Sequence, residues 1–443
     1  MTEPRRAFRA AIIVAALLVG GLGSAAGAQE APRPTGTLAS GVAYQFRPDP
    51  AQPAAAIALW YRAPATGFDD AKPVPGLARV AATTVAASTP ITGTPLGRLI
   101  QRAGGRLSVS AYPDSVAITA LVPSDRVAQV VRAMTADYFA PVADAAGLQI
   151  AQREVAEDLT YRAYEPSAAI EDALAGALFA DGPFHAGLLA APKEIGAIPL
   201  ASVRSFAERA FRPANAILVL TGNVDAGALA AVASREGAQT SVESPAPAVP
   251  RPSPSPVTRD ANVDGVGFGW SGPPITDEAS ATALDFVADA LFGARTGAVQ
   301  KAVGSRKATV TGRFVTYRNP GIFLVTISGE DAAAVRPLVE AAVAGAAKPM
   351  APAAFTAARA AFVYHLLSGL QTPDEIADTY GWYTVEGAPA YAPADGGVSG
   401  RYFAAAAALT PNAVAAAAAR YLAVPPAVVT LGRAKPAAAE KRG

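Results

Sequence analysis

The strongest constraint on how this chain folds is that it repeats itself. Residues 211–222 (FRPANAILVLTG) and 421–432 (YLAVPPAVVTLG) each place an aromatic at the end of a helical stretch, then a proline, then an apolar strand that closes on glycine. Residues 153–174 likewise lie on residues 359–380, with one gap before Glu165-Pro166 and Thr372-Pro373. Shared spacing of this kind marks an internal duplication. Each copy alternates apolar strands with alanine-rich helical stretches, at 97–103, 124–139, 146–163 and 201–210 in the first and at 279–292, 332–347 and 353–370 in the second. That order predicts an α+β fold of two homologous repeats, each a mainly antiparallel sheet with helices packed on one face.

The repeats are separated where proline recurs every second or third residue. Pro245, Pro247, Pro250, Pro252, Pro254 and Pro256 exclude helix and central strand and favour polyproline II geometry. The expected organisation is a domain over 36–240, a linker over 241–257, a second domain over 258–434 and a flexible tail over 435–443. Ahead of these, Arg5, Arg6 and Arg9 precede an apolar run, and Ala26-Gly27-Ala28 offers a cleavage site before Gln29. Residues 1–28 therefore read as a secretory signal peptide, with an uncleaved anchor as the alternative on the same pattern. Arg5-Arg6-Ala7-Phe8 brushes the twin-arginine pattern, which leaves the export route open. The expected compartment is the periplasm of a Gram-negative bacterium, since the signal reads as bacterial and a lipobox would need a cysteine the chain does not have.

Composition excludes several classes. Lys plus Arg is 37 and Asp plus Glu is 36, so no net field draws the chain to nucleic acid or an anionic membrane. No run after the signal reaches the roughly 20 uninterrupted apolar residues a span requires. With no cysteine there are no disulfide staples and no thiol nucleophile, so stability rests on buried apolar area. Serine-nucleophile patterns do not occur in a strand–turn–helix setting, and Gly104-Gly105 and residues 293–297 lack the Lys-Ser/Thr of a phosphate loop. The two histidines, His185 in a loop and His365 on a helix, fall in opposite halves, where structural or solvated roles are expected of each.

Several spaced elements carry a family likeness. An alternating strand over 54–60 runs into Tyr61-Arg62-Ala63 and then Pro75-Gly76-Leu77-Ala78. Gly104-Gly105-Arg106-Leu107-Ser108, Asp114, Val122-Pro123, Gln152-Arg153-Glu154-Val155 and Phe211-Arg212-Pro213-Ala214-Asn215-Ala216 follow in order. Together they resemble the pitrilysin/insulinase-type metallopeptidases, the inverzincins, over nearly the whole mature chain. The resemblance implies a unit of two such repeats, with two units closing around a chamber that encloses peptides. It also implies an H-x-x-E-H helix with two histidines on one face holding zinc, a glutamate as general base and a distant glutamate as third ligand.

Laid on Gly76-Leu77-Ala78, the first ligand falls on Arg79, the base on Ala82 and the second ligand on Thr83. None can do that chemistry, because arginine stays protonated and alanine has no base. The third ligand falls on Leu159, with Glu157 and Asp158 one or two residues away; Glu154, Glu157 and Asp158 otherwise read as a solvated helical face. No catalytic residue and no metal are expected in this chain, zinc being expected only in a partner. In the family a second-half arginine, followed seven residues on by a tyrosine, reaches toward substrate. One register puts Lys301 and Ala308 there and another puts Gly304, with Arg306, Arg313 and Tyr317 nearby. Candidate substrate-facing residues are thus Gly104, Gly105, Arg106, Lys301, Arg313 and Tyr317.

The resemblance implies a non-catalytic exported subunit that pairs with a zinc-containing homologue and binds peptides or unfolded polypeptides in the shared chamber. The alternatives are a scaffolding protein of a complex with no role in proteolysis, and a stand-alone peptidase with an unrecognised site.

Overall fold

Two sheets carry the same strand topology. The computed structural model describes residues 33–69, 71–90, 93–233, 248–251, 255–294, 296–318, 320–392 and 400–433. These all belong to one unit, Arg33–Gly443. The segments read as signal peptide and tail, and most of the proline-rich linker, lie outside the described residues. The first sheet is built from β1 (Thr35–Thr37), β2 (Ala43–Pro48), β3 (Ala54–Arg62), β4 (Arg106–Ala111), β5 (Ser115–Pro123) and β6 (Ala216–Gly222), in the order β1-β2-β6-β3-β5-β4. The second contains β7 (Val257–Ala261), β8 (Gly265–Ser271), β9 (Thr309–Val315), β10 (Ile322–Ser328) and β11 (Ala427–Arg433), in the order β7-β11-β8-β10-β9. In each, one parallel pair, β2 with β6 or β7 with β11, joins an otherwise antiparallel ladder. The repeated segments 211–222 and 421–432 end in β6 and β11, which hold equivalent places, so the duplication seen in sequence is a duplication of sheets.

The helices repeat as well. The first half contributes α1 (Leu77–Ala87), α2 (Leu96–Arg102), α3 (Val127–Phe139), α4 (Ala145–Ala163), α5 (Pro166–Leu178), α6 (Gly182–Ala186), α7 (Pro192–Ala197), α8 (Leu200–Ala210) and α9 (Ala226–Ala230). The second contributes α10 (Glu278–Phe292), α11 (Ala298–Val303), α12 (Ala332–Gly345), α13 (Pro352–Ser368), α14 (Pro373–Val385), α15 (Arg401–Ala408) and α16 (Pro411–Tyr421). Pro166 and Pro373 start α5 and α14 at the first helical position, where a missing N–H costs nothing. Thr372 and Glu375 add a reciprocal capping box at α14.

Those two proline-started helices are exchanged between the halves. Residues of β3 alternate between two cores. Ile57, Leu59 and Tyr61 pack with α1, α3 and α8 of their own half, whereas Ala56, Ala58 and Trp60 share a cluster with Ile376, Ala377 and Tyr380 of α14. The strand expected to alternate does so, but both of its faces are buried. Reciprocally, Ile170 and Leu174 of α5 pack with Leu324 and Val429 of the second sheet. They lie over Gly265, Gly267 and Gly269 of β8, whose lack of side chains lets the helix approach. Each sheet thus carries its own helices on one face and one borrowed helix on the other, and burying a large apolar side chain in such a seam contributes about 1.5–3 kcal/mol.

Among the described linker residues, Phe179 and Pro250 form a β-bridge, and the Arg251 N–H donates to Leu178 O at 2.8 Å. This part of the linker lies on the C-terminal end of α5.

Candidate functional site

Arg79 and Thr83 stand one turn apart on α1, on the face that opens to solvent, as two helix-borne ligands would. The geometry of the helix is retained and its chemistry is not. The Arg79 guanidinium donates to Asp158 of α4 at 2.6 Å, closing a salt bridge across the two helices. Ala82 is fully buried, and its carbonyl accepts from the Tyr138 hydroxyl at 2.8 Å. Of the residues at and beside the third-ligand position, Asp158 is the one that reaches α1 with a carboxylate. Leu159 is 2 % exposed in the first-half core, and Asp158 is the residue that faces α1. A residue on a helix turns about 100° from its neighbour, so one step along α4 exchanges a core side chain for one that reaches Arg79.

These residues do not fit zinc. Arg79 brings a permanent cation where a neutral imidazole would ligate, Thr83 brings a hydroxyl, and Asp158 is already paired. Among the described residues no group of three or more His, Cys, Asp or Glu is placed to hold a metal ion. The histidines are engaged elsewhere. His185 Nδ1 lies 3.0 Å from Gly176 O and 3.1 Å from Phe179 O, and His365 Nδ1 lies 2.7 Å from Asp289 Oδ1.

Two clefts flank Arg79, which lines both. The larger, about 750 Å³, lies between α1, α2, α4 and strand β4, with Arg79, Thr83, Arg98, Arg106, Arg153 and Glu154 on its walls. Strand β4 is an edge: it pairs only with β5, and exposure alternates along it. The turn into β4 needs glycine, since Gly104 has φ 78° and a Cβ on Gly105 would meet Leu121 O at 2.6 Å. Gly105 and Arg106 line this cleft; Gly104 does not. Arg106 also reaches Asp374 of α14 in an ion pair.

The smaller cleft, about 350 Å³, lies between the end of β4, helices α5 and α6, and strands β9 and β10. Arg313 and Tyr317 line it. The Arg313 guanidinium grips Glu171 through two nitrogens, its Nε at 3.0 Å. The Tyr317 ring stands edge-on to Phe184, with centroids 4.9 Å apart. Lys301, in the last turn of α11, lines neither cleft.

The segments that carry the family likeness hold the frame. Gln152 Nε2 donates to the carbonyls of Ile195, Gly196 and Ile198, and Asn215 Nδ2 donates to those of Arg62 and Ala210. A buried polar group between the halves was not anticipated. Arg62 Nε donates to Val385 O at 2.8 Å and Nη2 to Thr384 O at 3.1 Å, so it caps α14. The Arg318 backbone N–H donates to Glu386 Oε2 at 2.6 Å. Burial pushes the Asp114 carboxyl up to about 6, and burial together with the Asp114 charge pushes Glu386 well above the usual carboxylate range. Arg62 and Asp114 were visible only as spacing markers, and Arg318 and Glu386 carried no signal at all.

The comparisons bear on the fold. Residues 197–361 match the family model described as Peptidase M16 inactive domain. A protease from Helicobacter pylori is 15% identical with TM-score 0.78, covering 92% of this chain and 100% of its own. A peptidase M16 inactive domain from Pseudomonas fluorescens is 17% identical with TM-score 0.72, covering 90% of this chain and 98% of its own. A chain of complex III2 from Candida albicans is 11% identical with TM-score 0.73, covering 90% of this chain and 95% of its own. No curated protein matches the sequence.

Proposed function

We propose that this chain, an inactive homologue of the M16 peptidases, is the non-catalytic subunit of an exported zinc peptidase and closes a peptide-binding chamber against an active homologous chain. The observation that carries the reading is the Arg79–Asp158 pair. A neutral ion pair joins the two helices that would present the metal ligands, while the scaffold around them keeps the family architecture. The chemistry is gone and the shape remains, which is what a companion subunit requires.

The larger cleft supports the peptide part of the proposal. Its wall is an edge strand, and an extended peptide adds to such an edge through main-chain hydrogen bonds, leaving side chains to set preference. Zinc, in this reading, belongs to the partner. Co-purification tests it. A stable complex with an H-x-x-E-H homologue, and peptide hydrolysis that needs both chains, is the expected result. Stoichiometric zinc on this chain alone, or peptide cleavage by it alone, would overturn the assignment.

The likeness to a chain of complex III2 favours a second reading, a scaffold in a multisubunit assembly with no role in proteolysis. A stable complex whose peptidase activity is nil would support it over the first.

A further inference from the structure

We infer that the smaller cleft binds a carboxylate carried by an apolar residue of the peptide, through Arg162. This deepens the proposed peptide-binding role and rests on it. Three arginines line the cleft. Two are committed: Arg79 to Asp158 at 2.6 Å, and Arg313 to Glu171 through two nitrogens. The Arg162 side chain, in the last turn of α4, makes no hydrogen bond or ion pair with any described residue. Its charge is felt at Asp172 and Tyr112 without contact. Asp172 in turn accepts the backbone N–H groups of Leu188 and Leu189 at 2.6 and 3.0 Å, so its Oδ1 is directed at the chain and not at Arg162.

The rest of the wall is mainly apolar, with Phe184, Leu188, Val315, Ile322 and Leu324 among its residues. A free guanidinium at the edge of a low-dielectric cavity is suited to a ligand with an apolar body and an anionic end, because its planar fork matches a carboxylate with two donors. A peptide supplies that chemistry in two ways, as its C-terminal carboxylate or as a Glu or Asp side chain beside an apolar residue. A volume of about 350 Å³ admits a large side chain with its carboxylate. The cleft adjoins the larger one at Arg79 and takes in the far end of β4, so a peptide running along β4 would deliver its end or side chain here.

Fluorescence anisotropy on the full chain tests this with three labelled peptides of one apolar sequence: free acid, C-terminal amide, and amide with an internal glutamate. A charge-assisted contact to arginine corresponds to about a tenfold or larger change in Kd. The free acid is expected to bind about tenfold tighter than the amide, with Arg162→Gln erasing the difference and Arg162→Lys restoring part of it. If the internal glutamate restores binding in an Arg162-dependent way, the side chain is the source and the inference holds. If all three peptides bind equally to the wild type, the carboxylate inference is overturned while peptide binding stands. If none binds, both fall. Circular-dichroism melts of the Arg162 variants confirm that each is folded.

Discussion

At the scale of single residues, the Arg79–Asp158 pair is asymmetric in a way that decides what each substitution costs. The Arg79 side chain is 19% exposed and Asp158 43%, so removing the acid strands the less hydrated partner, whereas removing the cation leaves a carboxylate that water can serve. Asp158→Asn is expected to cost about 1 kcal/mol and Arg79→Met, which keeps the apolar stem, less than about 0.5 kcal/mol. Urea denaturation of the two single variants and the double variant, at low and high salt, measures the pair, and additive costs would mean it contributes nothing as a pair. Positions 79, 82 and 83 were singled out by the family resemblance; what the helix itself dictates is that 79 and 83, four residues apart, share one face whatever residues stand there. The partner was not legible in that way. Whether residue 158 or residue 159 faces α1 depends on the rotational phase of α4, which its core contacts set and which no local pattern in a largely polar helix reports.

Among the elements, the exchanged helices are the feature that sequence periodicity could not reveal. It marked the Glu165-Pro166 and Thr372-Pro373 breaks, but the apolar face of a helix reads the same whichever sheet it covers. The glycines do carry the information, once the packing is known. Gly381 in α14 lies against Trp60, and a Cβ there would come within 1.9 Å of the indole nitrogen. In an open helix Gly→Ala is stabilising by up to about 1 kcal/mol. Here the sign should reverse. Gly381→Ala is expected to destabilise by about 1–3 kcal/mol through overpacking, and Gly267→Ala, whose Cβ would meet Ile170 Cγ2 at 2.3 Å, by a similar amount. Thermal melts of the two variants suffice as the check. A stabilised Gly381→Ala would mean that α14 does not press on β3.

For the whole molecule, the seam between the halves has a polar lock whose strength depends on pH. Asp114 sits at the β4–β5 turn and Glu386 just beyond α14, with Arg62, Arg318 and Tyr317 facing them from the neighbouring elements. Both carboxyls titrate above their ordinary range, chiefly through burial, so the folded state holds their protons more tightly than the unfolded chain does. The sign follows from linkage. Each contributes stability that is fully present below the unfolded carboxyl pKa, about 4, and is lost as pH rises through the folded value. For Asp114 that loss runs from about 4 to about 6, and Glu386 adds a loss of the same sign, its carboxyl held well above the ordinary range by burial and the Asp114 charge. Asp114→Asn removes the first titration while keeping the side chain's shape. Relative to that variant, the wild type is expected to lose stability steadily from about pH 4 to beyond 6, measured by denaturant unfolding across that range. Glu386→Gln should reduce the loss and shift what remains, because each carboxyl acts on the other. A stability difference between wild type and Asp114→Asn that stays constant from pH 4 to 8 would show that the Asp114 carboxyl ionises independently of folding and that the seam carries no pH-dependent lock.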